Sequence, residues 1–441
     1  MERSAMKDLV KWKSKANRKP LLILGARQVG KTWLMKEFGK KEYEQTAYIN
    51  FESSKLLQTI FIDNFDIQRI ITALQIETEM VIKPDNTLII FDEVQESSGA
   101  ITSLKYFCEN APQYHIMAAG SLLGVALHEH TSFPVGKVEF LNLYPFSYSE
   151  FLSALNQQPL LNLLKSNDWK LIKSFKEKYI QFLRKYYFIG GMPEVVLSYI
   201  EKNDFKEVRV LQKSILLAYE HDFSKHAPHE IVPRIRMLWN SIPSQLAKEN
   251  RKFIYGAVKH GSRAKDFEMA LSWLIDCGLV HKICQVSKPG IPLKSYEDAS
   301  TFKLFVVDLG LLGAMVDLDV KSLLAGNIVF EEFKGALTEQ YVLQQLVIEP
   351  DLPIYYWSAE RATSEIDFLV QYEGKVVPIE VKAEENLRAK SLKTYCGLFS
   401  PKIAIRTSMS DYRKEDWLTN LPLYAIIELT RFESDNEENE I

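Results

Sequence analysis

The feature that most constrains this chain is a glycine-rich segment, GARQVGKT, at residues 25–32. It follows directly on a short apolar run, LLIL, and it precedes WLMKEFGKK, whose apolar residues recur at helical spacing. The order strand, glycine loop, helix fits the pattern GxxxxGK[ST], in which backbone N–H groups surround phosphate oxygens at a helix N-terminus. A chance match somewhere in a chain of this length has a probability of roughly 1–2%. The segment therefore predicts a site for ATP or GTP.

Every residue of this loop is a candidate for contact with the nucleotide. The set is Gly25, Ala26, Arg27, Gln28, Val29, Gly30, Lys31 and Thr32. The two glycines allow the backbone to fold around an anion, Lys31 is expected to reach the β- and γ-phosphates, and Thr32 is expected to ligate magnesium. Arg27, like Lys137 further along, is equally consistent with an ordinary surface cation.

Two later apolar runs end in polar side chains that suit the same site. LIIFDE ends in Asp92, expected to hold the magnesium shell, and Glu93, expected to polarise the attacking water. A buried strand with a solvated acidic end is the structural alternative. HIMAAGS ends in Ser121, which we expect beside the γ-phosphate. With AYINFES as a further strand, residues 1–155 are predicted to form a doubly wound parallel sheet.

The middle of the chain is predicted to be helical and basic. Leu160 to Ala227 has helical spacing broken by the turn GGMP, which indicates a helical lid over residues 156–230. Between Lys202 and Lys265 there are 13 Lys and Arg against 6 Asp and Glu. A helix near Ile235 to Leu246, a short extended FIY and the amphipathic RAKDFEMALSWLIDCGL are followed by the strands LVHKICQVS and FKLFVVD. This order is typical of a winged helix at 231–325.

Cations near the start of its second helix suit contact with DNA. They are Lys259, Arg263 and Lys265. Winged helices also serve as packing modules, so this alternative stays open. His221, His226 and His229 lie close together, but their spacing is not a standard metal-ligand pattern.

The segment SEIDFLVQYEGKVVPIEVK predicts a β-hairpin centred on Glu373-Gly374. In that register paired residue numbers sum to 747, so Asp367 lies opposite Glu380 and Glu365 opposite Lys382. Alternation then places these four polar side chains on one face and the apolar ones on the other. Because like charges directly opposite are destabilising, a divalent cation would relieve the repulsion. Glu339, on a preceding helix, could complete the ligand set, and Lys382 could activate water; a surface ion pair is the plain alternative.

These motifs, in this order, resemble a prokaryotic family that joins an AAA-type P-loop ATPase to a C-terminal domain of unknown function 4143, similar to PD-(D/E)xK nucleases. GARQVGKT, LIIFDE, AAGS, GGMPE and IDF…IEVK carry the resemblance. It implies ATP binding through Lys31, Thr32, Asp92 and Glu93. It also implies metal ligands at Glu339, Asp367 and Glu380, with Lys382 as the catalytic lysine, in a mixed α/β nuclease-like domain at 326–432. Ile366 stands where that motif has proline, and no arginine finger is assigned.

Composition restricts the class of protein. The 441 residues predict two to four domains, and 46% hydrophobic with 25% charged residues is typical of an ordinary soluble globular protein. Together with the motifs, this predicts a multidomain α/β protein. With 54 basic and 57 acidic residues, a surface for nucleic acid must be local. Four scattered cysteines favour a reducing compartment, and the absence of a long apolar run predicts a cytoplasmic protein with no membrane partner. The tail at 433–441 is acidic and expected to be disordered.

The leading interpretation is an ATP-hydrolysing protein that acts on nucleic acid, with a Mg²⁺- or Mn²⁺-dependent nuclease-like domain gated by nucleotide state. The runner-up is an ATP-switched regulatory protein that binds DNA or protein and has a catalytically silent nuclease-like domain. A signalling ATPase with no nucleic-acid partner is the third. Sites of this class often need a neighbouring subunit, so a homo-oligomer is also among the expectations.

Overall fold

The computed structural model describes residues 2–53, 59–61, 64–120, 134–248, 252–321, 331–359, 364–385 and 388–429. The chain divides into two compact units. The first consists of Met1–Tyr144 together with a distant segment, Ser272–Leu279. The second consists of Pro145–Leu271 and Val280–Ile441. No helix in the described ranges is both long enough and apolar enough to cross a membrane.

The first unit contains a five-stranded sheet in the order β2-β3-β4-β1-β5, and every neighbouring pair is parallel. Its strands are β1 Leu21–Leu24, β2 Gln45–Asn50, β3 Thr87–Asp92, β4 His115–Ala119 and β5 Glu139–Asn142. Its helices are α1 Ala5–Ser14, α2 Lys31–Glu42, α3 Ile67–Thr78 and α4 Ser98–Asn110. The predicted parallel α/β sheet is confirmed, with one strand more than the sequence indicated. Strand β5, with the sequence EFLN, was missed because only two of its residues are apolar and none is buried, so it forms no long apolar run.

The interior of this unit explains why the strands read as apolar runs. Strand β3 is buried along its whole length, as expected when both faces of a parallel sheet are covered. At its end Phe51, Phe61 and Phe91 meet edge to face, with ring centroids 5.4–5.8 Å apart. This geometry favours aromatic rings beyond the area they bury. The carboxyl end of β3, where the polar residues begin, is therefore supported by closely packed aromatic rings.

The second unit begins with helices. They are α5 Tyr148–Ala154, α6 Gln158–Lys165, α7 Trp169–Ser174, α8 Lys176–Ile189, α9 Pro193–Lys202, α10 Phe205–His226, α11 Val232–Leu246 and α12 Tyr255–Val258. The predicted break at GGMP separates α8 from α9, which starts on Pro193, a residue suited to the first turn. The next helix, α13 Glu268–Asp276, is shorter than predicted, since residues Ala264–Asp266 form a 3-10 turn. The predicted extended FIY ends in Tyr255, the first residue of α12.

An eight-stranded mixed sheet follows, in the order β12-β13-β11-β10-β9-β8-β6-β7. Its strands are β6 Val280–Val286, β7 Glu297–Val306, β8 Ile354–Ser358, β9 Glu365–Tyr372, β10 Lys375–Val381, β11 Ile405–Ser408, β12 Arg413–Lys414 and β13 Thr419–Pro422. The helices are α14 Leu309–Met315, α15 Glu331–Leu346 and α16 Lys390–Phe399. The hairpin predicted as a wing exists as β6 and β7, but β6 also pairs with β8. The sheet therefore spans the predicted boundary between residues 325 and 326.

A buried carboxylate holds the helical part of the second unit to this sheet. Asp308 is fully buried, caps α14 through the Leu311 N–H at 3.0 Å, and accepts the Gly191 N–H at 2.6 Å. The side-chain amide of Gln344 donates to it at 3.1 Å. Burial raises the pKa of Asp308, and these hydrogen bonds oppose the rise. The GGMP turn is thus fixed by a hydrogen bond to Asp308, a residue more than 100 positions away in the sequence.

We expect Gly190→Ala to destabilise the second unit strongly. Gly190 has φ 74 and ψ −163, a region that side chains avoid at a cost of about 1–3 kcal/mol, and an added Cβ would lie 2.2 Å from Asp308 Oδ1. The measurement is the urea midpoint of unfolding. Gly261→Ala is the matched control, since Gly261 has φ 77 and, among the residues that the structure describes, no atom lies within 4 Å of an added Cβ. Equal shifts for the two variants would contradict the role given to Asp308.

Candidate functional site

The glycine loop at residues 25–32 has the backbone that an anion site requires. Gly25 and Gly30 have φ angles of 142 and 94, and Gln28 between them also has a positive φ of 67. An added Cβ on Gly25 would lie 2.2 Å from the Leu143 carbonyl oxygen, so only glycine fits there. Gly30 directly precedes α2, which aims the free N–H groups of that helix at the loop.

Lys31 lies inside this loop and is buried. Its ammonium donates to the carbonyl oxygens of Gly25 and Ala26, at 2.8 Å each. Burial lowers the pKa of Lys31 to about 8, while the carboxylates of Glu93 and Asp92 oppose that shift. A poorly solvated cation beside free N–H groups is the arrangement that a phosphate would satisfy.

Thr32 and Asp92 meet, as their predicted roles require. The Thr32 hydroxyl donates to Asp92 Oδ2 at 2.7 Å, and the Glu93 N–H donates to Oδ1 at 3.1 Å. Asp92 is buried at the last position of β3. One hydroxyl and one carboxylate at the edge of a phosphate site are oxygen donors of the kind that Mg²⁺ takes beside nucleotide phosphates. These residues therefore fit a bound Mg²⁺–nucleotide.

Glu93 directly follows the strand in a left-handed conformation, with φ 50. Its Oε2 accepts a hydrogen bond from the Gln95 side chain at 2.7 Å. The proximity of Glu93 to Lys31 is seen in the opposing effect on the lysine pKa. Its role toward water stays a prediction. Ser121, predicted beside the γ-phosphate, lies outside the described residues.

Two residues of this site were not predicted from the sequence. The Tyr48 hydroxyl donates to Asp92 Oδ2 at 2.8 Å from the neighbouring strand β2. Burial, and then the hydrogen bond to Asp92, raise the pKa of Tyr48 to about 12, so the phenol keeps its proton at neutral pH. Arg3 donates to the Val29 carbonyl at 3.1 Å and to that of Tyr144 at 2.6 Å. Once β2 is placed beside β3, alternation along AYIN could have identified Tyr48; nothing local marks Arg3.

In the C-terminal hairpin the predicted register is confirmed. Lys375 pairs with Tyr372 and Ile379 with Phe368, and both turn residues, Glu373 and Gly374, have positive φ. The polar face is less exposed than expected, since Glu380 is buried beside the ammonium of Lys382, 2.8 Å away. Burial raises the pKa of Glu380, and Lys382 opposes the rise.

The hairpin also supplies a backbone partner for its aspartate. Asp367 accepts the Val381 N–H at 2.7 Å. This hydrogen bond links β9 to the end of β10, at the level where the two carboxylates were predicted to face each other. Asp367 also adds to the rise in the Glu380 pKa through its charge.

Glu365 and Glu339 form ion pairs with a lysine that was not predicted from the sequence. Lys303, on β7, has a fully buried side chain that forms ion pairs with Glu365 and, at 3.6 Å, with Glu339. From the sequence, a metal ion was expected to relieve the repulsion between the clustered carboxylates. In the structure, lysine ammonium groups offset these negative charges. Within the described ranges, no group of three or more His, Cys, Asp or Glu side chains is placed to hold a metal ion. The metal roles expected of Glu339, Asp367 and Glu380 remain predictions, as does the catalytic role of Lys382.

The cations predicted to contact DNA are exposed. Lys259, Arg263 and Lys265 all lie shortly before α13. The backbone N–H of Arg263 is bonded to Asp266, 2.8 Å away, which fixes the turn before the helix. These side chains are therefore available to a polyanion.

Comparison with known proteins matches three segments of the chain to family models. Residues 17–152 match the family model of an AAA domain. Residues 334–426 match a domain of unknown function, DUF4143, and residues 180–322 match another, DUF8612. The N-terminal domain is an AAA-type P-loop ATPase domain. It is followed in the same chain by a DUF4143 domain, as the resemblance of the motifs implied.

No protein of curated function matches the chain. Among solved structures, a Walker-type ATPase of Pyrococcus abyssi is 14% identical, covering 71% of this chain and 95% of its own, with a TM-score of 0.45. The ORC1 protein of Aeropyrum pernix in complex with DNA is 11% identical, with 71% and 90% covered and a TM-score of 0.28. A Vibrio cholerae protein is 10% identical, with 94% and 97% covered and a TM-score of 0.17. Similarities this weak support no conclusion about this chain.

We expect Tyr48→Phe to raise the Mg²⁺ concentration needed for half-maximal nucleotide binding by about tenfold. Loss of a hydrogen bond to a charged carboxylate costs about 1.5 kcal/mol, which corresponds to that factor. The measurement is a Mg²⁺ titration at fixed ATP. Tyr43→Phe is the matched control, because the Tyr43 phenol is hydrogen-bonded to His115 Nδ1 at 2.7 Å instead. The same Mg²⁺ requirement in both variants would exclude a role for Tyr48 in positioning Asp92.

Proposed function

We propose that this chain is an ATP-driven switch that binds nucleic acid. ATP is bound with Mg²⁺ and hydrolysed in the AAA domain, and nucleotide state regulates how the basic middle region engages a polyanion. The observation that carries the nucleotide part is the loop at residues 25–32, where buried Lys31 and the Thr32–Asp92 hydrogen bond lie together. Mg²⁺, when bound, supplies charge neutralisation at the phosphates.

The residues of the loop have separable tasks in this function. Lys31 supplies a positive charge whose release from two carbonyl groups accompanies phosphate binding. Asp92, held by Tyr48 and by the Glu93 N–H, would help to hold Mg²⁺ beside the phosphates. Glu93 stands next to it as the candidate base that orients water, a role common to P-loop enzymes.

The nucleic-acid part rests on charge. The segment from Lys202 to Lys265 carries an excess of seven positive charges (13 minus 6) in a chain whose net charge is −3. Lys259, Arg263 and Lys265 are exposed and cluster within seven residues. A local excess of this kind attracts phosphate backbones even when the whole molecule is slightly acidic.

The C-terminal carboxylates favour a silent nuclease-like domain over an active one. Lys303 offsets the charges of Glu339 and Glu365, and Lys382 offsets that of Glu380. A divalent cation would have to compete with ammonium groups that are already in place. We therefore assign this domain to binding rather than to phosphodiester cleavage.

We expect Lys31→Ala to weaken ATP binding at pH 7 by at least about tenfold, since hydrogen bonds between charged groups are worth about 1.5–3 kcal/mol. Because the pKa of Lys31 is about 8, the wild-type affinity falls as pH rises above 8, by up to about tenfold per pH unit. That decline disappears in Lys31→Ala.

Isothermal titration across pH 6–10 measures both effects. Lys40→Ala, an exposed position on the same helix, serves as control and leaves affinity and pH profile unchanged. Equal affinity in wild type and Lys31→Ala would refute the nucleotide site.

We expect the combined variant Lys259→Ala, Arg263→Ala and Lys265→Ala to weaken DNA binding and to lower its salt dependence. Each lost phosphate contact reduces the slope of log K against log salt by roughly 0.9, so the slope should fall by up to about 3. The control removes three exposed lysines elsewhere, at Lys40, Lys170 and Lys402. If both variants change the slope equally, the basic segment is not the DNA surface.

A metal-dependent nuclease is the second candidate function, and one observation favours it. Glu380 Oε2 is buried and, in the part of the chain that is described, accepts no hydrogen bond. A divalent cation could satisfy that oxygen together with Asp367.

Plasmid cleavage with Mn²⁺, with and without ATP, decides between the two functions. We expect no cleavage that depends on Asp367, because Lys382 already offsets the Glu380 charge. The comparison uses wild type, Asp367→Asn and Asp351→Asn, an exposed aspartate as control. Cleavage by wild type and Asp351→Asn that is lost in Asp367→Asn would establish the nuclease instead.

A further inference from the structure

A short segment far along the chain belongs to the first unit, which contains the proposed nucleotide site. Ser272–Leu279 groups with Met1–Tyr144, although more than 120 residues separate them in sequence. Four of its side chains are buried: Trp273, Leu274, Cys277 and Leu279. The segment contains the end of α13 and the turn that follows it, so this turn has a fixed place within the AAA-domain unit.

The turn has a defined geometry. The Gly278 N–H donates to the Ile275 carbonyl at 2.8 Å, and the Leu279 N–H donates to the Leu274 carbonyl at 3.0 Å. With φ 71 at Gly278, this is the Schellman arrangement that ends a helix on a glycine. The backbone of the turn is therefore held by its own hydrogen bonds. A displacement of Gly278 would move the turn as a rigid unit.

Gly278 lies against the glycine loop at residues 25–32. An added Cβ would be 3.1 Å from the Ala26 nitrogen and 3.5 Å from the Gly25 carbonyl carbon. These two atoms form one peptide bond, which is rigid and planar and cannot yield as a side chain can. The turn thus lies next to the Gly25–Ala26 peptide with no room for a side chain between them, so a rotation of that peptide alters the space at Gly278.

This peptide and the next one along the chain also hold the lysine. Lys31 donates to the Gly25 carbonyl oxygen and to that of Ala26. A bound phosphate draws the lysine of such a loop toward the β- and γ-oxygens. The two carbonyl groups then lose their donor, and a partly buried carbonyl without a partner reorients to find another.

We infer that the turn at Cys277–Leu279 is a positioning element for the glycine loop and senses its occupancy through the Gly25–Ala26 peptide. The chain runs from Leu279 directly into β6 at Val280, with no linker between them. Loop occupancy is therefore passed to the first strand of the C-terminal sheet through a continuous backbone. This inference rests on the proposed nucleotide site and adds the route by which that site is coupled to the rest of the chain.

Amide hydrogen exchange on the full chain tests it. We expect saturating Mg²⁺-ATP to change exchange in residues 272–286 of the wild type by at least about threefold. In Gly278→Ala the added Cβ presses on the loop, so ATP affinity falls by about tenfold and the exchange response of residues 280–286 is lost. ATP affinity and the exchange response are both measured, and the response is measured at saturating ATP. A variant that is only destabilised would keep the exchange response, whereas a variant that has lost the coupling would not.

Gly136→Ala is the matched control. Gly136 has the same φ of 71 and belongs to the same unit, but none of the described residues has an atom within 4 Å of an added Cβ. We expect wild-type affinity and a wild-type exchange response. If Gly278→Ala does not fold, the wild-type exchange data still show whether nucleotide binding is coupled to residues 272–286.

The failures of the two proposals are distinguishable. ATP binding that depends on Lys31, without any exchange change in residues 272–286, overturns the coupling alone. So does a Gly278→Ala variant that behaves like Gly136→Ala. A wild type that binds no nucleotide overturns the proposed function together with the coupling.

Discussion

The carboxylate of Asp92 joins three separate pieces of the first unit. It receives the Thr32 hydroxyl from the start of α2, the Tyr48 hydroxyl from β2 and the Glu93 N–H that follows β3. A buried carboxylate needs such donors, because its charge is poorly solvated. The glycine loop, the edge of the sheet and the candidate base are therefore placed by one group, and the geometry of the nucleotide site follows from it.

Buried lysines have different surroundings in the two units. Lys31 donates to neutral carbonyl oxygens, and its lowered pKa shows that the nearby carboxylates do not fully compensate for burial. Lys303, by contrast, is bonded directly to carboxylates. A lysine of the first kind gains from an incoming anion, whereas one of the second kind already has its counter-charge. This contrast supports the proposal of nucleotide chemistry in the AAA domain and of a binding role for the DUF4143 domain.

Local sequence predicted those parts of the molecule whose determinants are local. The loop at residues 25–32 and the hairpin around Glu373-Gly374 are such parts, because backbone conformation and register are set there within a few residues. Tyr48, Lys303 and Gly278 were missed. Each is an ordinary residue in its own segment and gains its role from a partner between 44 and 252 residues away. Strand β5 was missed because its four residues, EFLN, contain only two apolar ones and none is buried.

We propose that Lys31, Thr32 and Asp92 exchange their present partners for Mg²⁺-ATP. A crystal structure with Mg²⁺ and a non-hydrolysable ATP analogue tests this most directly. We predict that the Lys31 ammonium leaves the carbonyl oxygens of Gly25 and Ala26 for the phosphates, and that the Thr32 hydroxyl turns from Asp92 to the metal ion. Nucleotide bound elsewhere, or bound at the loop with both sets of hydrogen bonds unchanged, would contradict the account.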